Sequence, residues 1–376
     1  MSSLAPAQLT RAEFEARVQR IEAQLERERL DALIGYSVGN RAGPVAYLAG
    51  YEPRFGQRDV AAFVLVPGRC YALVLYAYWD LADLQTWTED VHLTRDLGAT
   101  LRELLPSSVR RVGVAGYEFF PAPVAAALMD RTLIDATPLL MDVARIKSAA
   151  EIALVREATR QTDAGVRALL DGLVPGNDER ELSANVQASI VKAGADRLAF
   201  PVLLFSRERC ETGIGFPRPR ALQPGDQVNL ICGATFHGYN TDLGRIGFVG
   251  QPARELRALL DTAEAMHAAL LSAARPGQSI ANVAQAGIDV VRERGHAAWL
   301  YPHAAPGYAG HAIGCWLDES PRLQLDAPGE LETNMVIVLE ARLGREGGGG
   351  VTITDPVVIA EDGAERLSSV PVRTWG

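Results

Sequence analysis

The sequence lacks several features that would assign it to a specialised class. Its four cysteines, Cys70, Cys210, Cys232 and Cys315, show no CxxC spacing, so neither a disulfide framework nor a thiolate zinc site is indicated. No apolar run approaches the length of a membrane span. The first residues, MSSLAPAQLTRAEF, contain no apolar core of the length that a signal peptide needs. We therefore expect a cytoplasmic protein that does not act at a membrane.

The chain also has fewer basic residues than acidic ones. The chain has 37 Lys and Arg residues against 46 Asp and Glu residues, which gives a formal net charge of -9. Binding of nucleic acid needs clustered Lys and Arg to neutralise phosphates, so nucleic acid is not an expected partner. What the chain does have is length: 376 residues, 48% of them hydrophobic, are enough for two domains with a core each.

The first part of the chain has the pattern of an α/β domain. Thr10 and Glu13 form a capping-box pattern, and the apolar residues of the following turns recur on one face of the predicted helix. Strand-like segments follow, with helical stretches between some of them: DALIGY, AAFVLVPG, YALVLYAY and RRVGVAG. We assign residues 1–143 to this domain.

The second part begins near ARIKSAAE and alternates long helices with hairpins. A second capping box, Ser148 to Glu151, opens a helix, and three further helical segments follow. Between them lies a predicted hairpin, VNLICGATFHGYNTDLGR, and the end of the domain is strand-rich, with NMVIVLEARLG and GGVTITDPVVIA. This order predicts an α+β layer at residues 144–376, with helices covering one face of an antiparallel sheet.

Three titratable residues of the second part lie in apolar or glycine-rich segments. They are Asp242 in YNTDLGR, His311 in YAGHAIGCW and Glu340 in MVIVLEARLG. A carboxylate that follows an apolar strand is costly to bury alone, so Glu340 needs a proton, a cation or a hydrogen-bond donor. One interpretation pairs it with Arg342 in a structural ion pair, and the other assigns it to a functional site.

Several motifs in order resemble the creatinase, prolidase and aminopeptidase P family. The motifs are the opening helix EFEARVQRIEAQLERERLDALI, the linker ARIKSAAEIALVREA, the hairpin entry LQPGDQVNL, the segment GHAIG and the turn EDG. The resemblance covers nearly the whole chain. It implies a creatinase-like N-terminal domain at residues 1–143, a pita-bread catalytic domain at residues 144–376, and a homodimer.

The resemblance also implies a set of metal-ligand positions, of which this chain keeps three. Members of the family that use metals bind two divalent ions through five side chains, and the matching positions here hold Asp242, His311, Glu340, Ile231 and Thr354. Two carboxylates and a neutral imidazole leave two dications uncompensated, so a dinuclear site is not expected. The three retained residues either hold one divalent ion, such as zinc or manganese, or share a proton without any metal. We expect no cofactor, as in the creatinase branch.

Further positions carry over from the resemblance. The family's proton-shuttling histidine falls near Ile214 or Gly215, so general acid–base work is left to His311, Glu340 and Asp242. Arg245 follows Asp242 at the family's spacing, and we expect it to hold Asp242 in place. Candidates for binding a small carboxylate-bearing substrate are Arg54 and Arg58 in the loop YEPRFGQRD, with Arg342, Tyr308 and Trp316.

These features predict a creatinase-like hydrolase that cleaves a C–N bond of a small polar substrate without the dinuclear metal centre. His311 and Glu340 would move the proton, and Asp242 would orient His311. Three alternatives remain open from the sequence. They are a non-catalytic pita-bread binding module, a lyase or isomerase that uses the same residues, and a peptidase-like hydrolase with one metal ion.

Overall fold

The computed structural model describes residues 9–39, 41–54, 59–76, 84–300 and 307–375, without the side chain of residue 255. The chain divides into two compact units between Arg145 and Ile146, whereas the sequence predicts a boundary between residues 143 and 144. Each unit has its own sheet and core, and together they give the mixed α and β architecture that the sequence predicts. Within the described residues, no helix combines the length and the apolar composition needed to cross a membrane.

The N-terminal unit is a six-stranded mixed sheet with helices. Its sheet has the strand order β4-β3-β2-β1-β5-β6, in which β1, β5 and β6 run parallel and β1, β2 and β3 antiparallel. Its strands are β1 (Ala32–Val38), β2 (Val60–Val66), β3 (Cys70–Tyr76), β4 (Val91–Leu93), β5 (Arg111–Ala115) and β6 (Thr132–Asp135). Its helices are α1 (Arg11–Glu28), α2 (Gly43–Ala49), α3 (Leu97–Leu104), α4 (Ala122–Ala127) and α5 (Thr137–Ala144).

The first helix shows why this unit folds as the sequence predicts. The Thr10 side chain accepts a hydrogen bond from the backbone N–H of Glu13 and so satisfies one of the free donors at the start of α1. The apolar side of the helix is buried through Phe14, Val18, Ile21 and Leu25. The capping residue and the 3.6-residue period therefore act together, as the sequence pattern indicates.

The C-terminal unit carries a large antiparallel sheet with the order β14-β13-β15-β16-β12-β9-β8, to which β17 adds by pairing with β16. A small sheet, β11-β10-β7, forms the tip of the central hairpin. The helices are α6 (Ala149–Asp171), α7 (Glu179–Lys192), α8 (Arg254–Ala273) and α9 (Ile280–Glu293). The strands are β7 (Arg197–Leu198), β8 (Leu203–Ser206), β9 (Gln227–Cys232), β10 (Ala234–Phe236), β11 (Tyr239–Asn240), β12 (Leu243–Phe248), β13 (Gly310–Ala312), β14 (Glu319–Leu323), β15 (Val336–Arg345), β16 (Gly349–Ala360) and β17 (Gly363–Arg366).

The two faces of the large sheet have different environments. On one face, Leu339 and Ala341 of β15 and Ile353 of β16 pack with α8 and α9 in a single apolar core. Because side chains alternate along a strand, Glu340 and Arg342 lie on the opposite face. The polar side chains that the sequence singled out on β15 are thus held by a rigid strand that the helices support from behind.

Candidate active site

The structure brings together the three titratable residues that the sequence singled out. Asp242 lies between β11 and β12, His311 on β13 and Glu340 on β15. The Nε2 atom of His311 lies 3.4 Å from Oε1 of Glu340 and 3.9 Å from Oδ2 of Asp242. All three side chains are buried, with relative exposures of 6% for Asp242, 5% for His311 and 2% for Glu340. The arrangement is a compact, desolvated cluster of two acids and a base.

A glycine allows His311 to approach β15. Strand β13 pairs with β15 so that Gly310 lies opposite Leu339 and His311 opposite Val338. Gly310 has φ of 138°, and a Cβ atom there would lie only 1.8 Å from the carbonyl oxygen of Val338. Only glycine fits this position, which fixes the place of the histidine that follows it.

The hydrogen bonding of His311 identifies which ring nitrogen faces the acids. Its Nδ1 atom lies 2.8 Å from the carbonyl oxygen of Ala312. A carbonyl oxygen only accepts, so Nδ1 carries the hydrogen. In the neutral ring, Nε2 is therefore the unprotonated nitrogen, and this is the atom that points at Asp242 and Glu340. The site thus presents a proton acceptor next to two carboxyl groups.

Both oxygens of Glu340 lie close to other side chains, but among the described residues only Oε1 accepts a hydrogen bond from them, and Oε2 is in an ion-pair contact. The hydroxyl group of Tyr308 donates to Oε1 over 3.1 Å, and Nε of Arg342 lies 2.5 Å from Oε2. The ion pair with Arg342 that the sequence analysis left open is therefore present. Burial, together with the negative charge of Glu340, raises the pKa of Tyr308 above its usual range, so Tyr308 acts as a neutral donor.

Asp242 has an environment different from that of Glu340. Its Oδ1 atom is buried and has no hydrogen-bond partner among the described residues. Burial first, and then the charge of Glu340, raise the pKa of Asp242 to about 6, while Arg342 and His311 act in the opposite direction. Asp242 can therefore change its protonation near neutral pH.

The residues at the other two ligand positions do not fit a second ion. Ile231 of β9 pairs with Gly244 of β12, Gly244 pairs with Thr354 of β16, and Thr354 pairs with Glu340 of β15. Side chains that pair across strands share a face, so Ile231 and Thr354 lie in one row with Glu340. Both are buried, and neither supplies a charged ligand. Two dications would have only two carboxylates as compensation.

One ion is a different case. Asp242, His311 and Glu340 each offer a ligand atom, and these atoms lie within 4.8 Å of one another. Two carboxylate oxygens and an imidazole nitrogen are donors that zinc and manganese accept. By donor type and spacing the three residues fit a single divalent ion, although the guanidinium of Arg342 already lies against Glu340.

The expected role of Arg245 is wrong. Its guanidinium does not hold Asp242. Nη2 donates to Oδ1 of Asp355 over 2.7 Å, Nη1 to the carbonyl oxygen of Thr354 and Nε to that of Pro371. Asp355 pairs with Leu339 in the strand register, so it points to the helix-covered face. There His267 of α8 lies 2.9 Å from its Oδ2. Arg245 belongs to a buried structural network behind the site.

Sequence reasoning missed a buried ion pair that supports the segment with His311. Nζ of Lys147 lies 2.5 Å from Oε2 of Glu319, and Oε1 of Glu319 accepts from the backbone N–H of Trp316. On the other side, the Asn240 side chain donates to the carbonyl oxygens of Gly314 and Cys315. The sequence signal was weak, since Lys147 lies in the linker motif but Glu319 lies beyond the segment YAGHAIGCW and 172 residues from Lys147.

The remaining candidates are placed as follows. Trp316 lies on the segment after β13, partly buried. Arg54 lies in the N-terminal unit, where its Nε atom is 3.4 Å from Oε2 of Glu52. Arg58 lies outside the described residues. Ile214, at the position of the family's loop histidine, is exposed and offers no proton-transfer group.

Comparison with known proteins connects this geometry to a family. Residues 153–361 match the profile of the family described as Metallopeptidase family M24. The Xaa-Pro dipeptidase of Pyrococcus furiosus is 28% identical over 230 residues, which cover 61% of this chain and 65% of that protein. The probable dipeptidase PepE of Mycobacterium bovis is 28% identical over 237 residues, covering 63% of this chain and 62% of the relative. The chain thus spans under two thirds of the length of these two relatives.

Solved structures agree along nearly the whole chain. The prolidase of Pyrococcus horikoshii superimposes with a TM-score of 0.82 at 21% identity, covering 95% of this chain and 99% of that one, and at this identity the likeness shows the fold. The dipeptidase PepE of Mycobacterium ulcerans gives 0.81 at 25% identity, covering 98% and 99%. The fold is thus the pita-bread fold of prolidases with a preceding α/β domain, as the sequence predicts. The chain belongs to the M24 metallopeptidase family.

Proposed function

We propose that this chain is a hydrolase that cleaves a C–N bond in a small, carboxylate-bearing substrate and does so without a metal ion. The observation that carries the proposal is the buried cluster of Asp242, His311 and Glu340, in which Nε2 of the imidazole faces two carboxyl groups and Nδ1 faces a backbone carbonyl oxygen. Family membership supports hydrolysis. The names of the relatives, Xaa-Pro dipeptidase and dipeptidase, suggest a C–N bond of a peptide or a similar group.

His311 is the proposed general base and then the general acid. Water adds its oxygen to the carbon of the scissile bond, and one of its protons goes to Nε2 of His311. The C–N bond then breaks, and the leaving nitrogen takes that proton from Nε2. The ring returns to its neutral form, with Nδ1 still donating to Ala312, so the cycle consumes one water and leaves no net change in the enzyme.

The two acids have separate proposed roles. Glu340, positioned by Tyr308 and Arg342, stabilises the imidazolium form of His311. Asp242, with its pKa raised to about 6, adds a second negative charge above that pH and orients the ring from the other side. Both effects strengthen in a buried site, where charges are poorly screened.

The substrate-binding side chains are proposed from chemistry and position. Tyr308 and Arg342 contact Glu340 directly, so a substrate beside Glu340 meets them first. Trp316, on the segment that follows His311, is proposed as an aromatic wall. Arg54 and Arg58 are proposed to bind the substrate carboxylate, as the resemblance implies, within a homodimer in the cytoplasm. If an ion were held by Asp242, His311 and Glu340, it would supply Lewis-acid polarisation of the scissile group.

A binding module is the second candidate, and one observation favours it. Ile231 and Thr354 make the row beside Glu340 less polar than a hydrolytic centre with metal ions would be, and both are buried. A chain that had lost catalysis would retain the fold and bind a small ligand on the same face.

Turnover of defined compounds tests the proposal. The chelator-treated protein is incubated with Xaa-Pro dipeptides and with N-carbamoyl and N-amidino amino acids, and the released amine is measured. We expect hydrolysis of at least one class, and for His311→Ala and Glu340→Gln a fall in kcat of about 100-fold or more, as for loss of a general base. His296→Ala is the matched control, because His296 binds Thr262 instead. Turnover that survives in both site variants would refute the proposal, and absence of turnover with every class would favour the binding module.

A further inference from the structure

The chain supplies its own cation to the triad of Asp242, His311 and Glu340. Nε of Arg342 lies 2.5 Å from Oε2 of Glu340, and the guanidinium keeps its charge at every physiological pH. The Arg342 side chain is 22% exposed and that of Glu340 2%, so solvent screens the pair only weakly.

The strand geometry holds Arg342 at this place. Glu340 and Arg342 are two residues apart on β15 and therefore share a face. They pair across the sheet with Thr354 and Thr352 of β16, both fully buried. Strand β15 is bordered by β13 and β16, which fixes its backbone on both sides. The cation is thus attached to a central strand of the sheet and not to a loop.

The charge balance changes accordingly. Asp242 and Glu340 bring two negative charges when ionised, and Arg342 brings one positive charge. A divalent ion among the three donor atoms, which lie within 4.8 Å of one another, would share Glu340 with the guanidinium. Two cations on one buried carboxylate repel each other strongly because the local dielectric is low.

We infer that Arg342 excludes divalent metal ions from the triad by serving as the permanent counter-ion of Glu340. The inference rests on the proposed metal-free function, but it concerns ion binding and not turnover. It explains how three suitable donor atoms can lie together at a site where no metal ion is expected. The donors fit an ion, and the arginine opposes its binding.

Metal titration of the full chain tests this inference. Chelator-treated wild type and Arg342→Gln are titrated with Mn²⁺ and with Zn²⁺ by calorimetry. We expect Arg342→Gln to take up one equivalent at least about 100-fold more tightly than the wild type, because a full like charge at short range is removed. The added binding should disappear in Arg342→Gln combined with His311→Ala. Arg342→Lys, which keeps the charge, should resemble the wild type.

Arg345→Gln is the matched control for the loss of one positive charge. Arg345 lies at the end of the same strand and stacks over Trp299, with its guanidinium carbon 4.6 Å from the ring centroid. This variant should bind metal as the wild type does. Thermal unfolding of each variant verifies that it is folded before titration.

Two results would overturn the inference. One is a wild type that already binds an ion at the triad as tightly as Arg342→Gln does, and the other is a folded Arg342→Gln that binds none. If Arg342→Gln does not fold, the titrations of the wild type and of His311→Ala decide. A wild type that binds an ion tightly, with that binding lost in His311→Ala, would contradict exclusion. A wild type that excludes ions but hydrolyses nothing would leave the inference standing and remove the proposed function.

Discussion

Arg342 and Glu340 form an ion pair within one strand, with Nε 2.5 Å from Oε2, beside a histidine whose Nε2 is 3.4 Å from the other carboxylate oxygen. This pair separates the roles of the two acids in the site. Glu340 has the guanidinium of Arg342 as a counter-ion at 2.5 Å, whereas the nearest ion-pair contact of Asp242 among the described residues is Nε2 of His311 at 3.9 Å. The site therefore resembles an acid–base centre more than a set of ligands for two metal ions.

The protonation of Asp242 should make the free energy of unfolding depend on pH. Its pKa is raised from 3.8 to about 6 in the folded chain, so the folded state binds this proton more tightly than the unfolded state does. The stabilisation is complete below the unfolded pKa and is lost as the pH rises through about 6. Asp242→Asn should raise the free energy of unfolding by up to about 3 kcal/mol at pH 8 and by almost nothing at pH 4.

Urea unfolding at the two pH values measures this difference. Asp362→Asn serves as control, because Asp362 is an exposed aspartate of the same unit, and it should change stability little at either pH. Equal gains for Asp242→Asn at pH 4 and pH 8 would show that the carboxyl group is not strained by burial.

The buried pair of Lys147 and Glu319 should matter for stability. Lys147→Met leaves Glu319 buried without its cation and should cost about 3–5 kcal/mol at pH 7. Burial raises the pKa of Glu319, so this carboxyl can take up a proton as the pH falls, and the cost should shrink at pH 5. A double variant, Lys147→Met with Glu319→Gln, should recover most of the loss at pH 7. Chemical denaturation of the wild type and both variants at the two pH values provides the free energies of unfolding.

An exposed pair near Glu319 gives the comparison. Arg322 and Asp318 form an ion pair with exposures of 60% and 42%, and Arg322→Met should cost no more than about 1 kcal/mol. If Lys147→Met were as mild as Arg322→Met, the buried pair would not be what holds the segment after His311.

Restoring the two lost acids should create metal-dependent stability. Ile231→Asp with Thr354→Glu places carboxylates in the row that contains Glu340. Without metal, this double variant should unfold more easily than the wild type at pH 7.5, because it buries two further acids. Added Mn²⁺ should raise its Tm by several degrees through preferential binding to the folded state.

The matched control for that experiment is Ile231→Asn with Thr354→Gln, which keeps size and polarity but adds no charge. Its Tm should not respond to Mn²⁺. An identical response of both double variants would mean that the row beside Glu340 does not point into the metal positions that the family uses.

The sequence predicted the parts of this structure that depend on local patterns. The caps at Thr10 and Ser148 and the apolar periods that follow them fixed the starts of α1 and α6. The sequence also indicated the partner of Glu340, because Arg342 is two residues away on the same strand face. The family spacing placed Asp242, His311 and Glu340, and the structure shows them in contact.

The errors and omissions come from contacts between distant segments. Arg245 was assigned to Asp242 because it follows that residue at the family's spacing, but its partner Asp355 is 110 residues away. Lys147 and Glu319 are 172 residues apart. Asp355, like Glu340, lies in an apolar strand and is costly to bury alone. Only the sheet register shows which face each acid occupies and which cation lies beside it.

The central claim is that the site works as a metal-free acid–base centre, and turnover in the presence of a chelator tests it most directly. The measurement compares kcat of the wild type, in millimolar EDTA and with added Mn²⁺ or Zn²⁺, on the best substrate from the C–N panel. We expect equal kcat in all three conditions and loss of turnover in His311→Ala. Activity that disappears in EDTA and returns with one equivalent of metal would contradict the account.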